Sequence, residues 1–278
     1  MSVAPFSTIR FANFLSPLLQ GTYEYIASYV GTCVGYPTVL SVGQSVQEFS
    51  AGRVDVGFVC GLMYVRMTNW SDCPVEPLAA PVLCGKRYQK KPIYFSDVVV
   101  HRDSSYTSFG DLRGCVWAYN ESVSHSGYNL VCYSLLERGE ALPFFGKMIK
   151  AGSHLNSLRI VMDEQADATA IDSHVLDVLL QTDPEAAVQL RVIDMLGPST
   201  IPPIVVAKTV DPELKRQLQE ALVTLHHDHH AVSKLHEGSI ECFVPVTGEH
   251  YQDIREMFLC VQNTRFSLVA APKAYVWR

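Results

Sequence analysis

Hydrophobic and polar positions along the chain follow two alternating patterns. Short, nearly continuous apolar runs of strand length, such as residues 54–59, are followed by stretches in which apolar residues recur every three or four positions. In residues 18–30 this helical spacing places Tyr23, Ile26 and Val30 on one face. Repeated alternation of strand-like and helix-like segments predicts an α/β fold.

The predicted elements fall into two stretches of chain, which a polar segment near His101 separates. Asp211 and Pro212 form a typical helix start, because an acidic N-cap is followed by proline at the first helical position. The predicted strands cover residues 9–12, 37–42, 54–59, 93–100, 115–119, 168–172, 188–193 and 204–207. The predicted helices cover residues 18–30, 45–51, 128–138 and 173–181, with two more beginning at residues 154 and 212.

Composition restricts the class of protein and its partners. A chain of 278 residues with 48% hydrophobic side chains can bury one large core or two medium ones. Its 22 basic and 28 acidic side chains give a formal charge of -6, which argues against nucleic acid or an anionic membrane as the main partner. A small anion stays possible, since a local pocket can be electropositive. No segment approaches the ~20 apolar residues of a membrane span.

The start of the chain and its cysteines bear on location. The first ten residues lack the charged and apolar regions of a secretory signal, so we expect a cytoplasmic protein, or a periplasmic or extracellular one if a leader has been removed. The eight cysteines include no C-x-x-C pair, and Cys60 and Cys132 lie in apolar runs. This favours buried free thiols in a reducing compartment over a disulfide framework.

A cluster of hydroxyls lies between a predicted strand and a predicted helix. Within residues 122–127, Ser124 and Ser126 flank His125, and Ser122 adds a third hydroxyl. Backbone N–H groups and the helix dipole favour negative charge at such a helix start, which indicates an anion site. An ordinary serine N-cap is the alternative, and the spacing does not decide between them.

Similar residues recur further along the chain. Gly152, Ser153 and His154 combine a small residue, a capping hydroxyl and a histidine at a second helix start. His125 and His154 both lie where a ligand oxygen would need a donor. Asp172 ends a predicted strand, at the edge where open α/β sheets bind ligands. It could hold a ligand ammonium group or cap the next helix, and both roles stay open.

Other motifs do not indicate a cofactor. His226 and His230 would share a helix face at the i, i+4 spacing that suits a metal, within a cluster that also contains His227, His229 and His236. Histidine also suits the negative end of a helix and no H-E-x-x-H pattern is present, so a structural role is favoured. The chain shows no G-x-S-x-G elbow, P-loop or G-x-G-x-x-G after a strand, and we expect no cofactor.

Several stretches, read in order, carry the motifs of one known family. They are AGRVDVGF at 51–58, CGLMY at 60–64, SFGDLRG at 108–114, SVSHSGY at 122–128, AGSH at 151–154, ADATAIDS at 166–173 and FVPV with Tyr251 and Arg255 at 243–255. Each motif is weak by itself, but their combination is specific. The chain resembles the phosphonate-type substrate-binding components of ABC transporters, within the type 2 periplasmic binding protein fold.

The resemblance implies roles for several side chains. Ser124 and Ser126 would take the two serine places of the family's phosphonate cradle and bind phosphoryl oxygens. His125 stands in the family's threonine place, where it would supply a longer, titratable donor. His154, after Ser153, matches the family histidine that hydrogen-bonds the phosphonate.

Further pocket residues follow from the same resemblance. Tyr94 matches a pocket tyrosine, and Tyr36 matches another on the first lobe. Asp172 lies near the place where some members hold the amino end of an aminophosphonate, and His174 is the alternative for that place.

The resemblance also implies an architecture and a function. Lobe 1 would comprise residues 1–100 and 205–278 and lobe 2 residues 101–204, joined by crossings near 98–104 and 202–206. A small phosphonate, phosphate or related oxyanion compound would bind in the cleft, with hinge closure. The protein would then serve an ABC permease or act as a soluble sensor or carrier.

The alternative is a cytoplasmic enzyme on the same fold. In that case His125, His154, His174 and Asp172 would supply acid and base groups for chemistry on a small molecule.

Overall fold

The computed structural model describes residues 8–140, 142–264 and 268. The chain divides into two compact units. Unit 1 contains the described residues as far as Tyr94, together with Thr200–Gln252. Unit 2 contains Phe95–Ser199 and the described residues from Asp253 onward. Each unit has its own β-sheet.

Strands and helices alternate along the described chain. The strands are β1 (Ile9–Asn13), β2 (Thr38–Val42), β3 (Val56–Phe58), β4 (Val75–Leu83), β5 (Ile93–His101), β6 (Val116–Tyr119), β7 (Lys147–Lys150), β8 (Ala168–Asp172), β9 (Leu190–Thr200), β10 (Ile204–Ala207) and β11 (Ile240–Pro245). The α-helices are α1 (Gln20–Val34), α2 (Gln47–Ser50), α3 (Gly61–Met67), α4 (Leu130–Glu137), α5 (His154–Met162), α6 (Ser173–Thr182), α7 (Pro184–Gln189), α8 (Pro212–Thr224), α9 (His229–Glu237) and α10 (Gln252–Asn263). Short 3₁₀ helices occupy Pro17–Leu19, Lys86–Tyr88, Phe109–Leu112, Leu225–His227 and Gly248–Tyr251, and a π-helical turn occupies His125–Asn129.

Unit 1 is built on a six-stranded mixed sheet in the order β11-β4-β10-β3-β1-β2. Strand β1 pairs in parallel with β2 and β3, whereas β10 runs antiparallel to β3 and β4. The guanidinium of Arg10 on β1 donates to the buried carboxylate of Asp55, through Nε at 2.9 Å and a terminal nitrogen at 2.6 Å. A buried carboxylate needs such a partner, so this ion pair helps to hold the start of β3 beside β1.

Unit 2 is built on a five-stranded mixed sheet in the order β7-β6-β8-β5-β9. Strand β6 is parallel to β7 and β8, and β5 is antiparallel to β8 with Ser96 opposite Asp172. The carboxyl ends of β6 and β8 therefore lie at the same edge as the amino end of β5. Polar residues that follow β6 and β8 come together at this edge.

Aromatic side chains form the centre of the core in unit 2. The rings of Trp117 and Phe145 stack with centroids 4.4 Å apart, and Phe109 stacks on Phe144 at 5.7 Å. Val261 of α10 is buried in the same cluster. This packing explains why the last described helix belongs to unit 2 although the preceding strand belongs to unit 1.

The alternating pattern predicted the α/β class and most elements of the fold. Strands β4, β7 and β11 and helices α3, α7, α9 and α10 were not predicted. In the CGLMY motif, Cys60 is the N-cap of α3 and residues 61–64 form its first turn. The C-cap of α1 is Gly35, whose backbone is left-handed with φ of 75°.

The expectation that His226 and His230 share a helix face was wrong. Helix α8 ends at Thr224, and the side chain of Asp228 accepts from the backbone N–H of His230 at 2.8 Å to start a new helix. A new N-cap between the two histidines breaks the i, i+4 relation. Within residues 8–140, 142–264 and 268, no group of three or more His, Cys, Asp or Glu side chains could hold a metal ion.

All eight cysteines are free thiols. Only Cys115 and Cys132 are buried, whereas Cys33 and Cys260 are exposed and the other four are intermediate. The expectation of buried thiols therefore holds for two positions. Among the described residues, no helix is long and apolar enough to cross a bilayer.

Candidate functional site

The connection between β6 and α4 contains a turn wider than that of an α-helix. The backbone N–H of Asn129 donates to the carbonyl of Ser124 at 3.1 Å, a bond that spans five residues. The hydroxyl of Ser124 accepts from the backbone N–H of Gly127 at 3.2 Å and caps the turn. Isolated π turns of this kind occur frequently at functional sites. We call Ser124–Asn129 the π turn.

Ser126 is fixed at this sheet edge through its backbone. Its carbonyl accepts from the hydroxyl of Ser96 on β5 at 2.7 Å, and the residue is buried. Its own hydroxyl lies 3.4 Å from Nε2 of His154. Ser126 therefore connects the π turn with both β5 and the start of α5.

His154 is the first residue of α5. The hydroxyl of Ser153 caps this helix by accepting from the backbone N–H of Asn156 at 3.1 Å. Gly152 before it has φ of 81°, a left-handed conformation that other residues rarely adopt. These two residues turn the chain so that His154 faces the π turn.

The histidine ring of His154 is neutral. Nε2 lies 3.2 Å from the side-chain nitrogen of Asn120, which can only donate, so Nε2 accepts and the proton is on Nδ1. Burial lowers the pKa of this imidazole to about 4. Nδ1 itself is buried and has no hydrogen-bond partner among the described residues. It is a donor available to a ligand or a water molecule.

Asn120 is a site residue that the sequence analysis missed. It follows β6 directly, and its side-chain oxygen is also buried without a hydrogen-bond partner in the described part of the chain. The amide packs against Gly127, where a methyl group would overlap that oxygen. A polar residue directly after a buried strand, followed by a glycine at the next helix start, is the pattern that could have revealed it.

His125 occupies a different environment from the one expected. The ring is fully buried, Nε2 lies 3.0 Å from the hydroxyl of Ser199, and Nδ1 lies 3.3 Å from the side-chain nitrogen of Asn129. Burial lowers its pKa to about 3. The expected role was a titratable donor to the ligand, but internal groups engage both ring nitrogens. Ser199 is 74 residues away, so sequence spacing could not indicate this contact.

Asp172 caps helix α6. One carboxylate oxygen accepts from the backbone N–H groups of His174 at 2.8 Å and Val175 at 3.4 Å. Burial raises the pKa of this carboxyl to about 7, although the two backbone hydrogen bonds act in the opposite direction. Of the two roles left open for Asp172, the cap is the one with a contact in the structure. His174 is buried in the first turn of the same helix.

The chain matches a family model over most of its length. Residues 15–251 match the profile of the family described as "ABC transporter, phosphonate, periplasmic substrate-binding protein". The chain belongs to this family. The resemblance drawn from the sequence motifs is thereby confirmed.

Solved structures of phosphonate-binding proteins have the same fold. A binding protein component of an ABC phosphonate transporter from Pseudomonas aeruginosa matches with a TM-score of 0.80 and 19% identity, over 93% of this chain and 88% of that one. PhnD1 from Prochlorococcus marinus, in complex with methylphosphonate, has a TM-score of 0.80 and 14% identity, over 92% and 98%. A protein from Xanthomonas citri bound to ATP has a TM-score of 0.67 and 20% identity, over 95% and 100%.

These comparisons confirm the α/β fold of type 2 periplasmic binding proteins. Members of the phosphonate family are periplasmic components of ABC transporters, so the class has a small ligand and a permease as partners.

Two tyrosines expected from the family resemblance lie in different settings. Tyr94 is buried near the amino end of β5, two residues before Ser96. Tyr36 is half-buried and precedes β2, with its backbone N–H donating to the carbonyl of Gly31 at 2.9 Å. Because β1, β2 and β3 are parallel, Tyr36 lies at their amino edge, opposite the edge where such sheets bind ligands.

Proposed function

We propose that this protein is a receptor that binds a small compound through its phosphonate, phosphate or related oxyanion group and presents it to an ABC permease. The oxyanion would be held at the polar edge of unit 2 by Ser124, Ser126, Asn120 and His154. The ligand leaves unchanged, because the proposed role is capture and delivery.

The meeting of His154, Asn120 and Ser126 carries this proposal. Among the described residues, Nδ1 of His154 and the side-chain oxygen of Asn120 are buried without hydrogen-bond partners. Nδ1 can donate to an anion oxygen, whereas the amide oxygen can only accept, so it would take the P–O–H proton of a singly protonated ligand or a water molecule. Such atoms are rare in folded proteins and are commonly satisfied by a ligand or a bound water. Their position between two helix starts, α5 and the π turn, favours an anionic ligand.

The donors of this site are neutral, which suits an oxyanion. Hydrogen bonds to an ionised acceptor are stronger than those between neutral groups, so hydroxyls and an imidazole N–H can bind an anion without a lysine or arginine. The net charge of -6 counts the Lys, Arg, Asp and Glu side chains of the whole chain and gives no measure of this local environment.

Membership of this family supports a periplasmic location and a permease as partner. The cytoplasmic location expected from the first residues is the alternative, and cell fractionation of the native host would distinguish the two. An enzymatic role finds less support in the geometry, because the ring nitrogens of His125 already have internal partners.

Isothermal titration calorimetry with methylphosphonate, phosphite, phosphate and sulfate tests the proposal. We expect at least one phosphorus oxyanion to bind, and Ser126→Ala to weaken that binding by about 1–3 kcal/mol. Ser105→Ala is the matched control, since Ser105 is an exposed serine of unit 2. No heat with any of the four anions would contradict the oxyanion site. Mass spectrometry after prolonged incubation should return the ligand intact, whereas conversion would favour the enzyme.

A further inference from the structure

The family resemblance placed His125 in the anion cradle, but the contacts of its ring hold it more firmly than a ligand contact would need. It is the second residue of the π turn, directly between the capping Ser124 and the buried Ser126. Both of these neighbours belong to the proposed anion site. The side chain of His125, however, is fully buried within unit 2.

The hydrogen bonds around His125 form a chain with one consistent direction. The side-chain NH₂ group of Asn129 can only donate a hydrogen bond, so Nδ1 of His125 accepts it. The proton of the neutral ring is then on Nε2, which donates to the hydroxyl of Ser199 at 3.0 Å. That hydroxyl in turn donates toward the sulfur of Met257 on α10 at 3.7 Å. The assignment leaves each of these donors with an acceptor.

This chain connects the π turn to two distant parts of unit 2. Ser199 lies near the end of β9, the edge strand of the sheet, and Met257 lies on α10. The backbone hydrogen bond from Asn129 to Ser124 closes the turn, and the side-chain hydrogen bond from Asn129 to the buried ring of His125 stabilises it further. The turn is therefore held by β9 as well as by its own backbone.

We infer that His125 is a positioning residue, which stays out of contact with the ligand and holds the π turn in its binding geometry by bridging Asn129 to Ser199. This inference rests on the proposed function for the identity of the ligand, but not for the bridge itself. Contact of the ring with a ligand would require it to leave two buried hydrogen bonds, and the groups left behind would be unsatisfied.

The tautomer of His125 is the first test, and it needs no ligand. Long-range ¹H–¹⁵N correlation spectra of the full-length protein should show a neutral ring protonated on Nε2 between pH 5 and 8. Addition of methylphosphonate at saturation should leave this signature unchanged. A charged ring, a proton on Nδ1, or a change of tautomer upon binding would overturn the inference.

A double-mutant cycle provides the second test. We expect Ser199→Ala to weaken methylphosphonate binding about fivefold, which corresponds to the loss of one hydrogen bond. In a His125→Leu background the same change should have no further effect, because the bridge is already absent. Additive effects of the two substitutions would overturn the inference. His125→Gln retains an amide donor near the Nε2 position and should recover part of the affinity lost in His125→Leu.

Two further measurements distinguish a failure of this inference from a general loss of stability and from a failure of the proposed function. Amide hydrogen exchange of residues 126–129 should accelerate in Ser199→Ala but not in the exposed control Ser105→Ala, with or without a ligand. Equal exchange in both variants would overturn the bridge. If the wild-type protein binds none of the anions, the proposed function fails, while the tautomer and exchange results still decide the role of His125.

Discussion

Two helix starts in unit 2 carry the same dipeptide and use it differently. Ser124 and His125 begin the π turn, and Ser153 and His154 begin α5. In both pairs the serine hydroxyl caps the helix start. The ring of His125 is buried against internal partners, whereas the ring of His154 contacts Ser126, and its Nδ1 has no hydrogen-bond partner in the part of the chain that the structure describes.

The difference follows the width of the turn. At α5 the carbonyl of Ser153 accepts from Ser157, four residues on, at 3.0 Å, and at the π turn the carbonyl of Ser124 accepts from Asn129, five residues on. The additional residue in the turn changes the direction of the side chains that follow the cap. A serine–histidine pair at a helix start therefore does not define a ligand contact without the backbone geometry around it.

The largest effect is expected from Gly127→Ala, which would disturb the π turn and leave α5 intact. The added methyl group would overlap the side-chain oxygen of Asn120, so the turn or the amide must move. We expect a loss of about 3 kcal/mol in the free energy of unfolding, measured by urea denaturation, and a loss of anion binding. Gly21→Ala is the control, since a methyl group there meets no atom within 4 Å. Equal stability of the two variants would mean that the turn is not tightly packed.

The pH dependence of stability tests the neutral state of both histidines. The pKa is about 3 for His125 and about 4 for His154 in the fold, against roughly 6.5 in an unfolded chain. At pH 5 to 6 the unfolded chain therefore binds more protons at these residues than the folded one, and stability falls as the pH falls. Each histidine should contribute roughly 1 kcal/mol per pH unit to this slope.

Asp172 acts with the opposite sign. Its pKa of about 7 in the fold exceeds the value of roughly 3.9 in an unfolded chain, so between these values the folded state binds one more proton at Asp172 than the unfolded state does. The contribution of Asp172 to the free energy of unfolding therefore falls as the pH rises. Urea denaturation between pH 5 and 6 should show a shallower slope for His125→Gln and for His154→Gln and a steeper one for Asp172→Asn. A slope unchanged by either histidine substitution would mean that this ring is charged in the fold.

His154→Ala sharpens the difference between the two histidines in ligand binding. We expect the free energy of binding of the oxyanion found by calorimetry to weaken by about 2 kcal/mol, because a charge-assisted hydrogen bond is removed. His229→Ala changes an exposed histidine of unit 1 and serves as the control. Wild-type affinity in His154→Ala would remove this histidine from the site.

The smallest effect is expected from the two caps. Ser153→Ala and Ser124→Ala should each cost about 1 kcal/mol of stability, since each hydroxyl accepts one backbone N–H. Only Ser124→Ala should also weaken anion binding by more than the change in stability explains. If Ser153→Ala weakens binding as strongly, the two helix starts share the ligand more equally than proposed.

Apolar periodicity was sufficient to predict most of the fold, and the exceptions have physical causes. Strand β4 contains Pro77 and Pro81, which argue against a strand, yet it pairs with both β10 and β11. The register shifts between residues 204 and 205 and again between 240 and 242, which shows how the irregular strand is accommodated. Strand β7 has four residues with lysine at both ends, too short and polar to be recognised.

Local sequence predicted which polar residues lie at the two helix starts of the candidate site, and their binding of an anion stays a prediction. Hydroxyls and histidines at helix starts indicated an anion site, and that part depends on local sequence. The different hydrogen-bond environments of His125 and His154 depend on Ser199 and Asn120 respectively, and each of these partners lies far from its histidine along the chain. Contacts of this kind arise from sheet order and turn width, and neither leaves a pattern in neighbouring residues.

Helix α10 has a consequence for any attempt to study the two units separately. Val261 completes the aromatic core of unit 2 and Met257 accepts from Ser199, yet both follow the last strand of unit 1 along the chain. A gene fragment that encodes residues 95–199 alone would leave that core partly uncovered and the protein prone to aggregate. An autonomous version of unit 2 requires a fusion of two separate segments, in which a designed linker replaces residues 200–252.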